Sequence, residues 1–375
     1  MELPIIEVGI KTSGPPIVRH LDNGVSIKNM LIGDGFHWQR KIEARLPGEI
    51  FPYNPSNISE VDRTITLINR LPLETYLECV VGSEMNPSAP LEFLKAHAVI
   101  SRSWALGKIK DIHHRENSGK ENSDHTLIGW DDTACHHGFH VCSDDHCQRY
   151  QGLQPISEKS LQAIRDTHNE ILTTPEGHLL DARFSKCCGG QTEMFSTCWQ
   201  PEKESCLESF KDPWCDLSLL TPASRRALLS SVLKDYDLFT EGYGYTWEAE
   251  ISKKDVEKNL WDKFGRRVGE VQSLEPLHRG LSGRIDLLRV TGSEGYLNIG
   301  KELWIRRLLS HSHLYSSAFE IEDIGESFKF RGKGWGHGVG LCQIGAANMA
   351  FQGAGYREIL SFYYPGSKIN KYGNI

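Results

Sequence analysis

The stretch PLETYLECVVGSEM, residues 72–85, is where the chain changes its period. Upstream, residues 4–52 alternate short apolar runs, Ile5–Ile10 and Val25–Ile32, with Gly, Pro and Asn, a pattern of strands joined by turns. From Pro72 onward Leu73, Tyr76, Leu77, Val80 and Val81 recur at helical spacing, with Glu74 and Glu78 on the polar side. Gly82 stands where glycine commonly ends a helix. A second, longer helix is predicted from about Ala89 to Leu106, with Ser88 and Pro90 at its start.

Working outward, residues 109–130 are polar and read as a solvated excursion. A helix is predicted around Glu158–His168, then strands over Glu170–Leu180 and Leu180–Ser185. Residues 217–265 read as mixed helical and charged; strands return at Arg284–Val290 and Ala318–Ile324. Helices close the chain, from Cys342 to Gln352 and before Tyr363-Tyr364-Pro365-Gly366. Strands and helices in unequal blocks predict an α+β fold: mixed elements around a substrate groove, with a metal-binding loop insertion.

Composition limits the function classes. The 375 residues are 39% hydrophobic and 24% charged, as in soluble globular chains. A net charge of −7 supplies no basic field, so nucleic acid is not an expected partner. No segment has the unbroken apolar length of a membrane span. The start, MELPIIEVGI, lacks the n- and h-regions of a signal peptide. Either the protein stays in the cytoplasm, or the numbering begins at a processed or engineered Met1.

Four segments can carry chemistry. Glu84, bracketed by Val80, Val81 and Met85, is a carboxylate open to partial desolvation, which favours the protonated form a general acid needs. Lys95 and Arg102 lie two turns apart on the second helix and can contact sugar hydroxyls or carboxylates; an ordinary solvated Glu at a helix joint explains Glu84 equally well. The second segment, GKGWGHGVGLCQIGA (332–346), alternates glycines with Trp335 and His337 and leads through Gln343 into a helix. It matches neither GxxxxGK[ST] nor GxGxxG, and suits a saccharide groove better than a nucleotide site.

The ten cysteines add the third and fourth. In CHHGFHVC (135–142) with His146-Cys147, thiols and imidazoles crowd into a stretch short enough to converge on one tetrahedral zinc. The preferred ligands are His136, Cys142, His146 and Cys147, with Cys135, His137 and His140 as competitors and a Cys135–Cys142 disulfide as the rival account. Two Cys and two His would leave no open position, which makes the ion structural. In ARFSKCCGGQTE (182–193), Ser185 and the Gly189-Gly190 turn can line a cleft or simply form a hairpin corner. Cys187 and Cys188 can join the metal or stay free; Cys79 and Cys342 read as isolated buried thiols.

Taken together these segments resemble stage II sporulation protein D and its amidase-enhancer relatives. The matches are Pro72–Glu84 with Leu94-Lys95-Ala96-His97-Ala98-Val99 and Arg102; Ser185 with Gly189-Gly190; Ser282-Gly283-Arg284; GWGHGVGLCQIGA; and Tyr356–Gly366, in the family's order. The resemblance implies a lytic transglycosylase acting on peptidoglycan glycan strands, with Glu84 as acid/base, Arg102 in the groove and, as in some members, a His/Cys zinc loop. It also implies an exported, cell-envelope protein, with a cell-wall amidase as the other partner to consider. A β-rich segment (1–60) would pack on a catalytic domain (61–375) carrying the polar and metal loop at 109–155 and a variable region at 200–280. One carboxylate suffices if the muramic C6 hydroxyl is the nucleophile, whereas a hydrolase normally needs two. The chain departs from the family pattern at Ser83 and Asn86 flanking Glu84-Met85, at His97, and at Leu341-Cys342.

Overall fold

The computed structural model describes residues 4–35, 39–54, 64–110, 120–130, 136–200, 206–234 and 244–373. The architecture is α+β, with helices and several separate sheets. Strands β1 (Ile5–Leu21), β2 (Gly24–Ile32), β3 (Arg40–Leu46), β4 (Glu49–Pro52) and β5 (Ile65–Pro72) form a sheet in the order β3-β2-β1-β5-β4. The short strand Val141–Cys142 joins it in parallel beside β1, pairing Val8 with Val141 and Gly9 with Cys142. The His/Cys loop is therefore fastened to the N-terminal sheet.

Helices α1 (Leu73–Glu84) and α2 (Leu91–Lys110) follow β5 directly. Their apolar stripes explain why they sit there. Tyr76, Leu77, Val80, Phe93, Ala96 and Val99 pack with Ile6, Val8, Ile10 and Ile27 in one cluster. Each large side chain so buried contributes about 1.5–3 kcal/mol. The N-terminal strands thus share a core with the helices that follow. The helix α3 (Glu158–Asp166), capped by Ser157, lies on α1 and α2.

The rest of the chain adds α4 (Phe195–Cys198), α5 (Pro222–Val232), α6 (Lys253–Phe264), α7 (Glu302–Leu308), α8 (Gln343–Phe351) and α9 (Tyr356–Tyr363). The first core takes in α8 and α9 through Ile344, Ala347, Ile359 and Leu360. A second core, including Val256, Leu260, Ile285, Val290, Ile305 and Phe330, forms around a five-stranded and a three-stranded sheet with α6 and α7.

Several expectations change. α1 does not end at Gly82; it runs on to Glu84. Gly82 is required for a different reason: a Cβ there would lie 2.9 Å from the Pro155 carbonyl oxygen and 3.1 Å from Ile156 Cα. The polar stretch 109–130 is not wholly a solvated excursion. Lys120–Asn122 and Thr126–Gly129 are strands of the five-stranded sheet, the latter parallel to Gly295–Gly300, with Leu127 buried in the second core. The strand read over Glu170–Leu180 stops at Thr173, where the chain turns back so that Thr173 bridges Leu179. No helix among the described residues is long and apolar enough to cross a membrane.

Candidate active site and metal centre

Glu84 is the last residue of α1 and only 7% exposed. Its Oε1 accepts the main-chain N–H of Arg149 at 2.9 Å. Beside it the Ser83 hydroxyl donates to the Cys79 carbonyl at 2.6 Å and accepts the N–H of Gln151 at 2.9 Å. The segment after the His/Cys loop is therefore stitched to the end of α1. Asn86, a departure from the family pattern, fixes the turn between α1 and α2. Its Nδ2 donates to the Leu233 carbonyl at 2.9 Å, and its Oδ1 accepts the Ser88 N–H.

Glu84 opens into a cleft of about 580 Å³ between the two cores. Trp104, Trp130, Asp145, His146 and Cys147 line it, together with Ser185, Trp199, Trp335, His337 and Gln343. The Ser185 hydroxyl is buried without a hydrogen-bond partner. Asp145, which no sequence signal marks, is salt-bridged to Arg149. Burial pushes its carboxyl up to about 7; Arg149 opposes this, while Asp144 and Glu84 add to it. Arg183 stacks its guanidinium 4.2 Å from the Trp199 ring centroid.

The glycine segment contributes Trp335, Gly336 and His337 to the lining. Gly334, Gly336, Gly338 and Gly340 all have positive φ, so the alternation is a backbone requirement. Arg284 runs beneath: its Nε and Nη2 donate to the Gly336 carbonyl, and a Cβ on Gly338 would lie 2.5 Å from the guanidinium. Nη1 of Arg284 reaches the Ser282 hydroxyl, which donates to buried Glu193 at 2.6 Å. Burial, with Arg183 and Arg284 nearby, holds the His337 imidazole well below its ordinary pKa and neutral. Gln343 at the start of α8 lies 3.4 Å from Nε2 of His97.

The donor atoms of His136, Cys142, His146 and Cys147 all lie within 4.8 Å of one another. His136 Nε2 stands 3.3 Å from Cys147 Sγ, and His146 Nδ1 stands 3.6 Å from the same sulfur. Hydrogen bonding from Cys147, and then from His136 and His146, overcomes burial and holds the Cys142 thiol well below its ordinary pKa. Two soft thiols and two imidazoles at this spacing fit a tetrahedral zinc. Among the competitors, His140 Nδ1 is taken by the N–H of Glu7, and Cys135 lies outside the described residues.

Four of the proposed groove residues are elsewhere. Arg102 is buried; its Nε and Nη2 grip both carboxylate oxygens of Glu74 at 2.6 and 2.8 Å, and Nη1 donates to the Glu170 carbonyl. Lys95 pairs with Glu92 and Asp166. Gly189 and Gly190 form a tight turn, with positive φ, packed on Gly334 and the Tyr245 hydroxyl. Local sequence cannot distinguish a cation facing a groove from one facing a buried carboxylate. Trp104, Trp130, Asp145 and Trp199 belong to no local motif, and Arg183, although inside the 182–193 segment, carries no signal of its own, so the sequence alone does not single them out.

Residues 61–174 match the Stage II sporulation protein family, and residues 193–340 match a domain of unknown function, DUF8618. These findings support the stage II sporulation protein D and amidase-enhancer family as the one this chain resembles. It is 24% identical to Stage II sporulation protein D of Bacillus subtilis over 304 residues, covering 81% of this chain and 76% of the relative. It is 25% identical to an uncharacterised protein of Brachyspira hyodysenteriae over 312 residues, 83% and 70% of the two chains. A Bacillus subtilis protein named Amidase enhancer is 24% identical over 318 residues, which span 79% of this chain but 40% of that one. The first family match contains Glu84 and the four metal-ligand candidates, and the second contains Arg284, Trp335 and His337.

Proposed function

We propose that the protein is a peptidoglycan lytic transglycosylase with Glu84 as its general acid and base. Similarity to this family supports a cell-wall-related function. The observation that carries the finer reading is Glu84 itself, a buried carboxylate fixed by the Arg149 N–H at the wall of a tryptophan-lined cleft. Aromatic faces suit the apolar faces of sugar rings, and the unpartnered Ser185 hydroxyl is a ready contact for a sugar hydroxyl.

Glu84 donates its proton to the oxygen linking N-acetylmuramic acid to N-acetylglucosamine as the bond to the muramic C1 breaks. The muramic C6 hydroxyl attacks C1, its proton returns to Glu84, and a 1,6-anhydro end results. Zinc on His136, Cys142, His146 and Cys147 would hold the loop that supplies the Arg149 N–H; the full ligand set leaves it no open position for catalysis. The substrate is met outside the cytoplasm, so an exported location belongs to the same proposal.

Asp145 removes one argument for transfer over hydrolysis, because the cleft holds a second carboxylate. The products decide. Purified glycan strands, with and without stem peptides, are digested with wild type and Glu84→Gln and analysed by mass spectrometry. Anhydro-muramyl ends from the wild type, falling about 10²–10⁴-fold in the variant, are the expected result. Equal cleavage by the variant sinks the Glu84 mechanism, and new reducing ends assign hydrolysis instead. The relative named Amidase enhancer favours a second reading, a non-catalytic wall-binding protein that stimulates an amidase. Stimulation of an amidase with no cleavage by the wild type would support that reading.

A further inference from the structure

A second group of soft donors lies apart from the His/Cys loop. Cys188, Asp212, Cys215 and Cys342 are all buried, and their donor atoms lie within 4.8 Å of one another. They come from separate segments: the Gly189-Gly190 turn, the loop before Leu217, and the N-cap of α8. Cys342 stands alone in the sequence, and the fold makes it a meeting point. We propose that Cys188, Cys215, Cys342 and Asp212 form a second, structural zinc site beneath the groove.

Burial resists ionisation of Cys188 and Cys342, but the backbone at Cys342 is biased the other way, toward a thiolate. Cys342 Sγ accepts main-chain N–H groups from Cys188 at 3.3 Å and from Gly345, in the first turn of α8, at 3.4 Å. The positive end of that helix dipole adds to the preference.

Asp212 is oriented as a ligand would be. Its Oδ1 accepts the N–H groups of Trp214 and Cys215, leaving Oδ2 3.3 Å from Cys188 Sγ and 2.9 Å from the Tyr363 hydroxyl. The Tyr363 hydroxyl is the outer-shell donor that metal-bound carboxylates usually have. Burying a carboxylate among thiols is unfavourable without a cation. Three sulfurs and one oxygen in a closed pocket suit tetrahedral zinc. On binding, zinc forms three Zn–S bonds and one Zn–O bond, and the thiol protons leave to solvent; nothing is oxidised.

Cys187 defines the rival. Its sulfur lies 3.3 Å from that of Cys215, so a Cys187–Cys215 disulfide would remove a ligand. That pairing does not use Asp212 Oδ2 or the N–H donors on Cys342. The consequence of a metal is mechanical: it would clamp the turn after Ser185 to the start of α8, where Gln343 enters the cleft.

The test is the metal content of the full chain purified under reducing conditions. Two zinc ions per chain are expected in the wild type, one remaining in Cys142→Ser/Cys147→Ser and one in Cys188→Ser/Cys215→Ser. A Cys142→Ser/Cys147→Ser protein with no zinc overturns the proposal. So does a Cys187–Cys215 disulfide found by alkylation and mass mapping of the wild type. Because the Cys188/Cys215 variant can fail to fold, cobalt-loaded wild type gives a second measurement. Thiolate-to-cobalt absorption matching five thiolates supports the second site, and an intensity matching only Cys142 and Cys147 overturns it.

Discussion

The main-chain N–H of Arg149 donates to Oε1 of Glu84 at 2.9 Å, which couples the candidate acid to the segment that follows the His/Cys loop. Cys147, two residues earlier, is a ligand candidate, and Val141–Cys142 is a strand of the N-terminal sheet. Loss of the metal should therefore act on catalysis through position. Stripping zinc with a chelator, or substituting Cys142→Ser/Cys147→Ser, should lower the rate of anhydro-end formation by about 100-fold, as for a displacement near 1 Å. Rate measurements paired with circular dichroism check this; an unchanged rate in metal-free protein would separate the loop from Glu84.

Gly82→Ala should damage the same site by packing. The added methyl meets the Pro155 carbonyl at 2.9 Å and Ile156 Cα at 3.1 Å, both main-chain atoms that cannot swing away. Thermal unfolding should show a loss of about 1–3 kcal/mol. Cleavage should fall as well, because the last turn of α1 carries Glu84.

Arg102 should prove to be a stability residue. Its guanidinium is buried against Glu74, and removing one partner of such a pair costs about 3–5 kcal/mol. Arg102→Ala should lower the unfolding midpoint strongly. Arg102→Met combined with Glu74→Leu should recover much of it, and KM for glycan strands should stay unchanged in that double variant.

His97 should make the fold acid-sensitive. Burial first, and then Lys186, lower its pKa from 6.5 to about 3. Between those values the unfolded chain takes up a proton that the folded one does not. Its contribution to stability is complete above about pH 6.5 and is lost as pH falls toward 3, with a slope of at most ~1.4 kcal/mol per pH unit. His97→Gln should flatten that part of the pH–stability curve, measured by denaturant unfolding from pH 7 to 4. An unaltered slope would show that His97 is not the titrating group.

Much of this site is legible in the sequence because its signals are local. The period change at Pro72, the alternating glycines and the His/Cys spacing depend on neighbours in the chain, and the structure gathers Glu84, Trp335, His337, Gln343 and the metal loop around one cleft. Long-range partners leave no such mark. The strand Thr126–Gly129 lies in a polar run and is defined only by its distant neighbour Gly295–Gly300.

The helix pair that carries Glu84, the alternating glycines, the donor types of the His/Cys loop and the family resemblance are readable from sequence, since periodicity, backbone freedom and side-chain chemistry are properties of short segments. Only the tertiary structure decided which charges face the cleft. Lys95 and Arg102 are held by buried or neighbouring carboxylates, whereas the Asp145–Arg149 pair lines the cleft with Glu84. It alone brought Cys188, Asp212, Cys215 and Cys342 together from as far as 154 residues apart. The physical reason is that a buried polar group takes whichever partner the packed core brings within reach, and sequence distance does not measure that.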